Sequence, residues 1–200
     1  MTNFQSANRC RLTGRVAEPP APCRGGFLCA LSVERRSGAV DRVPVLLEYA
    51  ARKGDVLTVE GRFGSQNRRE DGRSRLILQV YPDRVQPAAQ PFVYENRVSL
   101  RGWLCRAPAL RETPAGRQIA DLLLAVGRPG GRSDYLPVIC WESMARRANL
   151  LRVGDEVELT GRIQSREYTR KADGQQHTAL EVSASLIRAI QKPENSIHTF

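Results

Sequence analysis

Between Arg97 and Leu104 the chain alternates. Val98, Leu100, Gly102 and Leu104 fall on one parity, and Arg97, Ser99, Arg101 and Trp103 on the other. A period of two puts successive side chains on opposite faces, so this stretch predicts a half-buried strand. Residues 120–126 form a nearly continuous apolar run and predict a second strand; 136–141, 157–163 and 178–183 predict a third, fourth and fifth. One stretch changes period: in 142–153, Met144, Ala148 and Leu151 recur at helical spacing, and Gly154 stands where a C-terminal cap belongs. Asp173-Gly174 is a hairpin signal between the fourth and fifth strands. Five strands with one helix between the third and fourth is the order of an OB-fold, a small Greek-key barrel.

The same pattern is written twice. Asn8-Arg9-Cys10-Arg11-Leu12-Thr13-Gly14 recurs 88 residues on as Asn96-Arg97-Val98-Ser99-Leu100-Arg101-Gly102. Val43-Pro44-Val45 returns after 93 residues as Leu136-Pro137-Val138, Gly54-Asp55 and Gly61-Arg62 after 100, and Asp71-Gly72 after 102. The offset grows only between the matching blocks, as expected when loops differ and strands do not. A period this long is domain duplication, not a solenoid repeat. The expected organisation is all-β, with two tandem OB-folds: residues 1–87, a linker at 88–95, residues 96–190, and a short tail at 191–200. Pro87 and Pro91 stiffen the seam.

Charge narrows the partner. The chain has 31 Lys+Arg against 21 Asp+Glu, a net +10, almost all of it arginine. That surplus suits a polyanion, through phosphate neutralisation and counterion release, although a merely soluble basic protein has the same balance. Five cysteines and two histidines show no zinc spacing, and no cofactor is expected. Cys10, Cys29 and Cys140 stand where the other half has Val98, Leu122 and Leu47, so they read as small buried hydrophobes. No stretch has the length of a membrane span, and residues 1–10 lack the apolar core of a secretory signal, so a cytoplasmic, nucleoid-associated location is expected.

Asn96 to Gly102, Pro108 to Gly116, Asp134 to Trp141, Gly154-Asp155, Gly161-Arg162 and Tyr168, in that order, resemble the bacterial single-stranded-DNA-binding protein family. The likeness covers residues 96–190; residues 8–87 are similar more faintly. The resemblance implies that Tyr135, Trp141 and Tyr168 stack on bases of single-stranded DNA. Parity supports this independently: Leu136, Val138 and Cys140 share one face of the third strand, and Tyr135 and Trp141 share the other. Tyr168 falls in a long connection, 164–176, beside Arg166, Arg170 and Lys171. Arg97, Arg101, Arg128 and Arg162 complete the cations expected at this site, with Trp103 on the outward parity of the first strand. Each feature has a plainer reading too. Trp141 suits a core position at the helix start, Tyr168 an ordinary solvated hairpin, Trp103 a packing surface, and Arg97 and Arg101 plain strand-surface charges.

The first half departs from that pattern. At the three stacking positions it carries Arg42, Glu48 and Arg68, and about seven residues of the helix are missing. It remains basic: residues 1–88 hold 15 Lys+Arg and 9 Asp+Glu. Arg9, Arg11, Arg15, Arg42, Arg62, Arg68 and Arg69 are its candidate phosphate contacts. Residues 191–200 hold one acidic residue, Glu194, where replication-type members of the family end in an acidic tip, so recruitment of partners through such a tail is not expected. The resemblance further suggests a homodimer presenting four OB-folds, and a non-enzymatic role in DNA replication, recombination or repair. A protein-interaction module of a primosome or conjugation complex, or an RNA binder, would use the same fold.

Overall fold

In the first strand, Cys10, Leu12 and Val16 are buried while Arg9, Arg11 and Arg15 face solvent, so the alternation does fix the strand's inner face. The computed structural model describes residues 8–70, 73–169, 174 and 176–190. Among the described residues, six strands make up the first half: β1 (Asn8–Val16), β2 (Ala21–Cys23), β3 (Gly26–Glu34), β4 (Val40–Leu47), β5 (Val56–Glu70) and β6 (Arg73–Pro87). The second half repeats them as β7 (Glu95–Leu104), β8 (Ala109–Glu112), β9 (Gln118–Arg128), β10 (Arg132–Trp141), β11 (Glu156–Thr169) and β12 (Gln176–Ala189), with one helix, α1 (Ser143–Ala148), between β10 and β11.

Each half closes on itself. β1 pairs with β5, β5 with β6, β6 with β4, β4 with β3, and β3 returns to β1. The second ring runs β7, β11, β12, β10, β9 and back to β7. Both are five-stranded OB barrels, closed by one parallel pairing each, β4 with β6 and β10 with β12. The remaining strands, β2 and β8, hang outside the rings on β3 and β9. Inward-facing Leu31, Val43, Val45 and Phe63 fill the first barrel, and Leu100, Leu122, Leu136 and Leu159 the second. Each such burial contributes roughly 1.5–3 kcal/mol. At the bulges in β5 and β11, Gly61 and Gly161 let the neighbouring strand's backbone come so close that a Cβ would meet the carbonyl oxygen of Tyr81 or Ser183.

The barrels are joined edge to edge. β1 and β7 pair antiparallel over six residues, with Cys10 opposite Val98. Those two residues are themselves repeat partners, so a local two-fold axis passes through that pair. Cys10, Cys29 and Cys140 are free and buried, and desolvation pushes their thiols up to about 12, 11 and 12.

Three expectations need correction. The helix is six residues long, not twelve. After Ala148 the chain turns, and Gly154 caps no helix: it lies in a turn where the Arg152 N–H donates to Asp155 Oδ2 (2.8 Å for the same bond from Arg52 to Asp55, 2.7 Å here). Second, the 164–176 connection is mostly paired ribbon, with Tyr168 opposite His177. Third, β2 and β8 were not foreseen, because every residue in them is exposed and they carry no apolar period. No helix is present among the described residues between β4 and β5, as the shortened sequence implied. Ala51 is buried there, in the connection where α1 buries Ala145 and Ala148 in the second half.

Candidate nucleic-acid interface

The outward face of the second barrel is built by register. Ala125 on β9 lies opposite Trp103 on β7 and opposite Tyr135 on β10. Directly paired residues share a face, so Trp103, Ala125 and Tyr135 form one row across three strands. Strands lie about 4.8 Å apart, which places the two aromatic residues about 10 Å from each other across the methyl of Ala125. Both rings are held open to solvent, Trp103 at 40% and Tyr135 at 46% of full exposure. Large rings outward over a small residue leave flat apolar surface uncovered.

Trp141 lies six residues further along β10, opposite Ile119. Six residues of strand span about 20 Å. It is half-buried, and the guanidinium of Arg117 sits 4.6 Å from its ring centroid. Pro137 and Leu123 pair between the two aromatic ends, so the floor of the face is largely apolar. Tyr168 stands on the β11–β12 ribbon, 42% exposed, with Arg166 5.8 Å from its ring. Acids on this face are few and held: Asp121 accepts from Arg111 Nε at 2.5 Å. Glu181 accepts from Gln164 Nε2 at 3.4 Å, and burial raises its carboxyl above the usual range, with Arg166 and Arg111 opposing and Asp121 adding to the rise.

Of the expected cations, the structure leaves some facing out and spends others. Arg9 and Arg97 are exposed in a groove of about 950 Å³ along the two-fold axis, which also holds Arg84. Arg11 is paired with Glu60 and Glu95, and Arg101 with Glu156 at 2.8 Å. Arg15 donates to the Gly54 carbonyl at 2.9 Å and lies over Phe92; Arg42 binds Glu18 at 3.0 Å. Arg68 and Arg69 are exposed near the tip of the β5–β6 hairpin. Arg62, Arg128 and Arg162 turn into the seam between the barrels. Arg170 and Lys171 lie outside the described residues. Arg117 was missed by the sequence reading; its only signal is a cation immediately before β9, which nothing in the periodicity distinguishes.

The seam is also two-fold. Asp134, buried, accepts the Ser65 N–H (2.8 Å) and Arg62 Nη1 (2.8 Å), with Arg128 Nη1 at 3.5 Å. Ser65 Oγ in turn accepts the Tyr135 N–H at 2.7 Å. On the other side Asp41, also buried, accepts the Ser165 N–H (2.9 Å) and is gripped by Arg35 Nε (2.7 Å), while Ser165 Oγ accepts the Arg42 N–H at 2.8 Å. The two sides are not equal. Arg62 lies 4.0 Å over the Tyr81 ring. Its counterpart Arg162 is 4.0 Å from Asp41, its Nε is buried without a hydrogen-bond partner, and burial lowers its pKa with help from Arg35.

With this geometry in place, the likeness to known proteins is specific. The profile of the Single-strand binding protein family matches residues 95–190, and a relative from Listeria monocytogenes called "Single-stranded DNA-binding protein 2" is 35% identical over 109 residues, 51% of this chain and 68% of that protein. The chain belongs to the single-strand binding protein family. Other relatives include "Single-stranded DNA-binding protein 3" of Listeria innocua (35% over 107 residues, 50% of this chain and 66% of the relative) and the "Single-stranded DNA-binding protein" of Thermus aquaticus (32% over 136 residues, 58% and 52%). The chain thus spans about half to two thirds of the length of these relatives. In three dimensions it is similar to the wild-type single-stranded DNA binding protein from Thermus aquaticus, with a TM-score of 0.70 at 26% identity over 93% of this chain and 94% of the other. At that coverage the likeness takes in both barrels of this family member.

Proposed function

We propose that this family member binds single-stranded DNA without regard to sequence, stacking bases on the second barrel and holding phosphates with arginine. The observation that carries this reading is the row Trp103–Ala125–Tyr135, two open rings flanking a small floor. Trp141 under Arg117 and Tyr168 under Arg166 extend the stacking surface, and each stacked base contributes roughly 1–3 kcal/mol. Arg97, Arg166 and, in the first barrel, Arg9 supply charge for the backbone, since no carboxylate holds them among the described residues. Residues 1–87 and 96–190 act as separate binding units of unequal kind, joined by 88–95, and the weaker raises avidity by effective concentration. The protein works as a homodimer presenting four barrels, in the cytoplasm, in replication, recombination or repair, and transforms no substrate. Tryptophan fluorescence titrated with dT and U oligomers at two salt concentrations tests the reading. Strong quenching that falls in Trp141→Ala supports it; no quenching at low salt overturns it in favour of a protein-interaction module, and tighter binding to U oligomers would make the ligand RNA.

A further inference from the structure

We propose that the first barrel aims the stacking residues of the second, with Ser65 and Ser165 as positioning residues. This rests on the stacking reading above.

In β10, residues 132–137 form the open edge of the second barrel, because β12 pairs only with Val138 and Ile139. An edge N–H needs a partner when it is covered. The Tyr135 N–H finds it across the seam, in Ser65 Oγ at 2.7 Å, and Ser65 is itself fixed by Asp134 through its own N–H at 2.8 Å. A closed two-bond ring therefore ties the backbone of the most open ring in the row to β5 of the other barrel. Asp134 is locked in turn by Arg62, which is braced on Tyr81.

The second tie works from the opposite side. Ser165 lies three residues before Tyr168 on β11, where the ribbon leaves its barrel, and both its N–H and its Oγ are engaged by Asp41 and Arg42 of β4. Thus each of the second barrel's two exposed tyrosines is anchored to the first barrel at or near its own backbone. Stacking on a base needs a ring held at a set angle, and a ring on a strand held from one side only would have to be ordered on binding, at an entropic cost. The first barrel, with no aromatic residue at its own equivalent positions, thereby contributes to binding through the second.

The test is a double-mutant cycle in the full chain with an oligo-dT probe. Ser65→Ala removes one hydroxyl and leaves the Tyr135 N–H unpaired; affinity should fall about tenfold, as for a lost buried partner, and Ser65→Thr, which keeps the hydroxyl, should retain binding. In a Tyr135→Leu background the Ser65→Ala change should cost nothing more, because the ring it aims is gone. Additive losses, or Ser65→Ala binding as the unaltered protein does while Tyr135→Leu is weakened, would overturn the inference and leave stacking intact. If Tyr135→Leu alone binds normally, the stacking reading fails and takes this one with it. Should Ser65→Ala not fold, the Ser165→Ala and Tyr168→Leu cycle decides in the same way.

Discussion

Across three strands of the second barrel runs Trp103–Ala125–Tyr135; at the same register in the first barrel runs Arg15–Ser32–Arg42. The two rows occupy one backbone geometry and hold opposite chemistry, rings against guanidinium groups. Meanwhile the inward parity has barely changed: Val43, Val45 and Leu47 in β4 match Leu136, Val138 and Cys140 in β10, all buried. Close packing forbids volume changes inside, where one methylene is felt, and leaves the outer parity free to diverge. The duplicated fold therefore carries two unlike outer rows, one of open rings and one of guanidinium groups engaged by the Gly54 carbonyl and Glu18, tied together through the seam.

The largest expected effect comes from breaking the tie between the two. Asp134→Ala strands the Ser65 N–H and a half-buried Arg62, and should cost about 3–5 kcal/mol in a urea unfolding curve; Asp41→Ala should cost a similar amount. A loss below 1 kcal/mol in both would mean that the barrels are held by β1–β7 pairing alone. Next in size is the aromatic row itself. Trp103→Leu or Tyr135→Leu should weaken oligo-dT binding by roughly 1–3 kcal/mol with little change in stability, whereas Arg9→Ala and Arg97→Ala should mainly lower its salt dependence, read from isothermal titration at several salt concentrations.

A smaller effect separates the two faces by pH. Glu181 sits on the stacking side, and its carboxyl is raised by burial. A raised acid is favoured protonated in the folded state, so its burial penalty is present at neutral pH. The penalty is relieved as pH falls through the folded value toward the unfolded one, near 4.3. Binding should thus tighten slightly on acidification, as the negative charge beside Arg111 and Arg166 disappears. Glu181→Gln should bind about twofold tighter at neutral pH and flatten that response; an unchanged pH profile in that variant would assign the response elsewhere. Smallest of all, a thiol reagent at pH 8 should label Cys23 and spare Cys10, Cys29 and Cys140, whose thiols burial pushes up to about 12, 11 and 12. Rapid loss of three or more thiols would mean that the cores open readily.

The barrels were legible in the sequence because a half-buried strand writes its face with a period of two, and because the pattern occurs twice. Tyr135 and Trp103 could be placed outward by parity alone. What stayed hidden has physical causes. The β11–β12 ribbon beyond the barrel is polar on both sides, so Gln164, Arg166 and Tyr168 alternate with Ser165, Glu167 and Thr169 without contrast. The helix was overextended because Leu151 keeps the spacing although the chain has already turned. The β1–β7 pairing sets Arg11 opposite Arg97, a like-charge pair that local rules disfavour; only Glu60 and Glu95, brought in from elsewhere, make it tolerable. The seam left a trace that reads only in hindsight: Asp41 and Asp134 repeat at 93 residues, and Ser65 and Ser165 at 100.

The division of labour between rings and free guanidinium groups is tested most directly by oligo-dT titration of two full-chain variants, Trp103→Leu/Tyr135→Leu and Arg9→Ala/Arg97→Ala, at low and high salt. The first should lose most of its affinity while keeping its salt slope, and the second should keep most of its affinity while its salt slope falls. Equal losses with equal slopes, or the reverse assignment, would contradict that division.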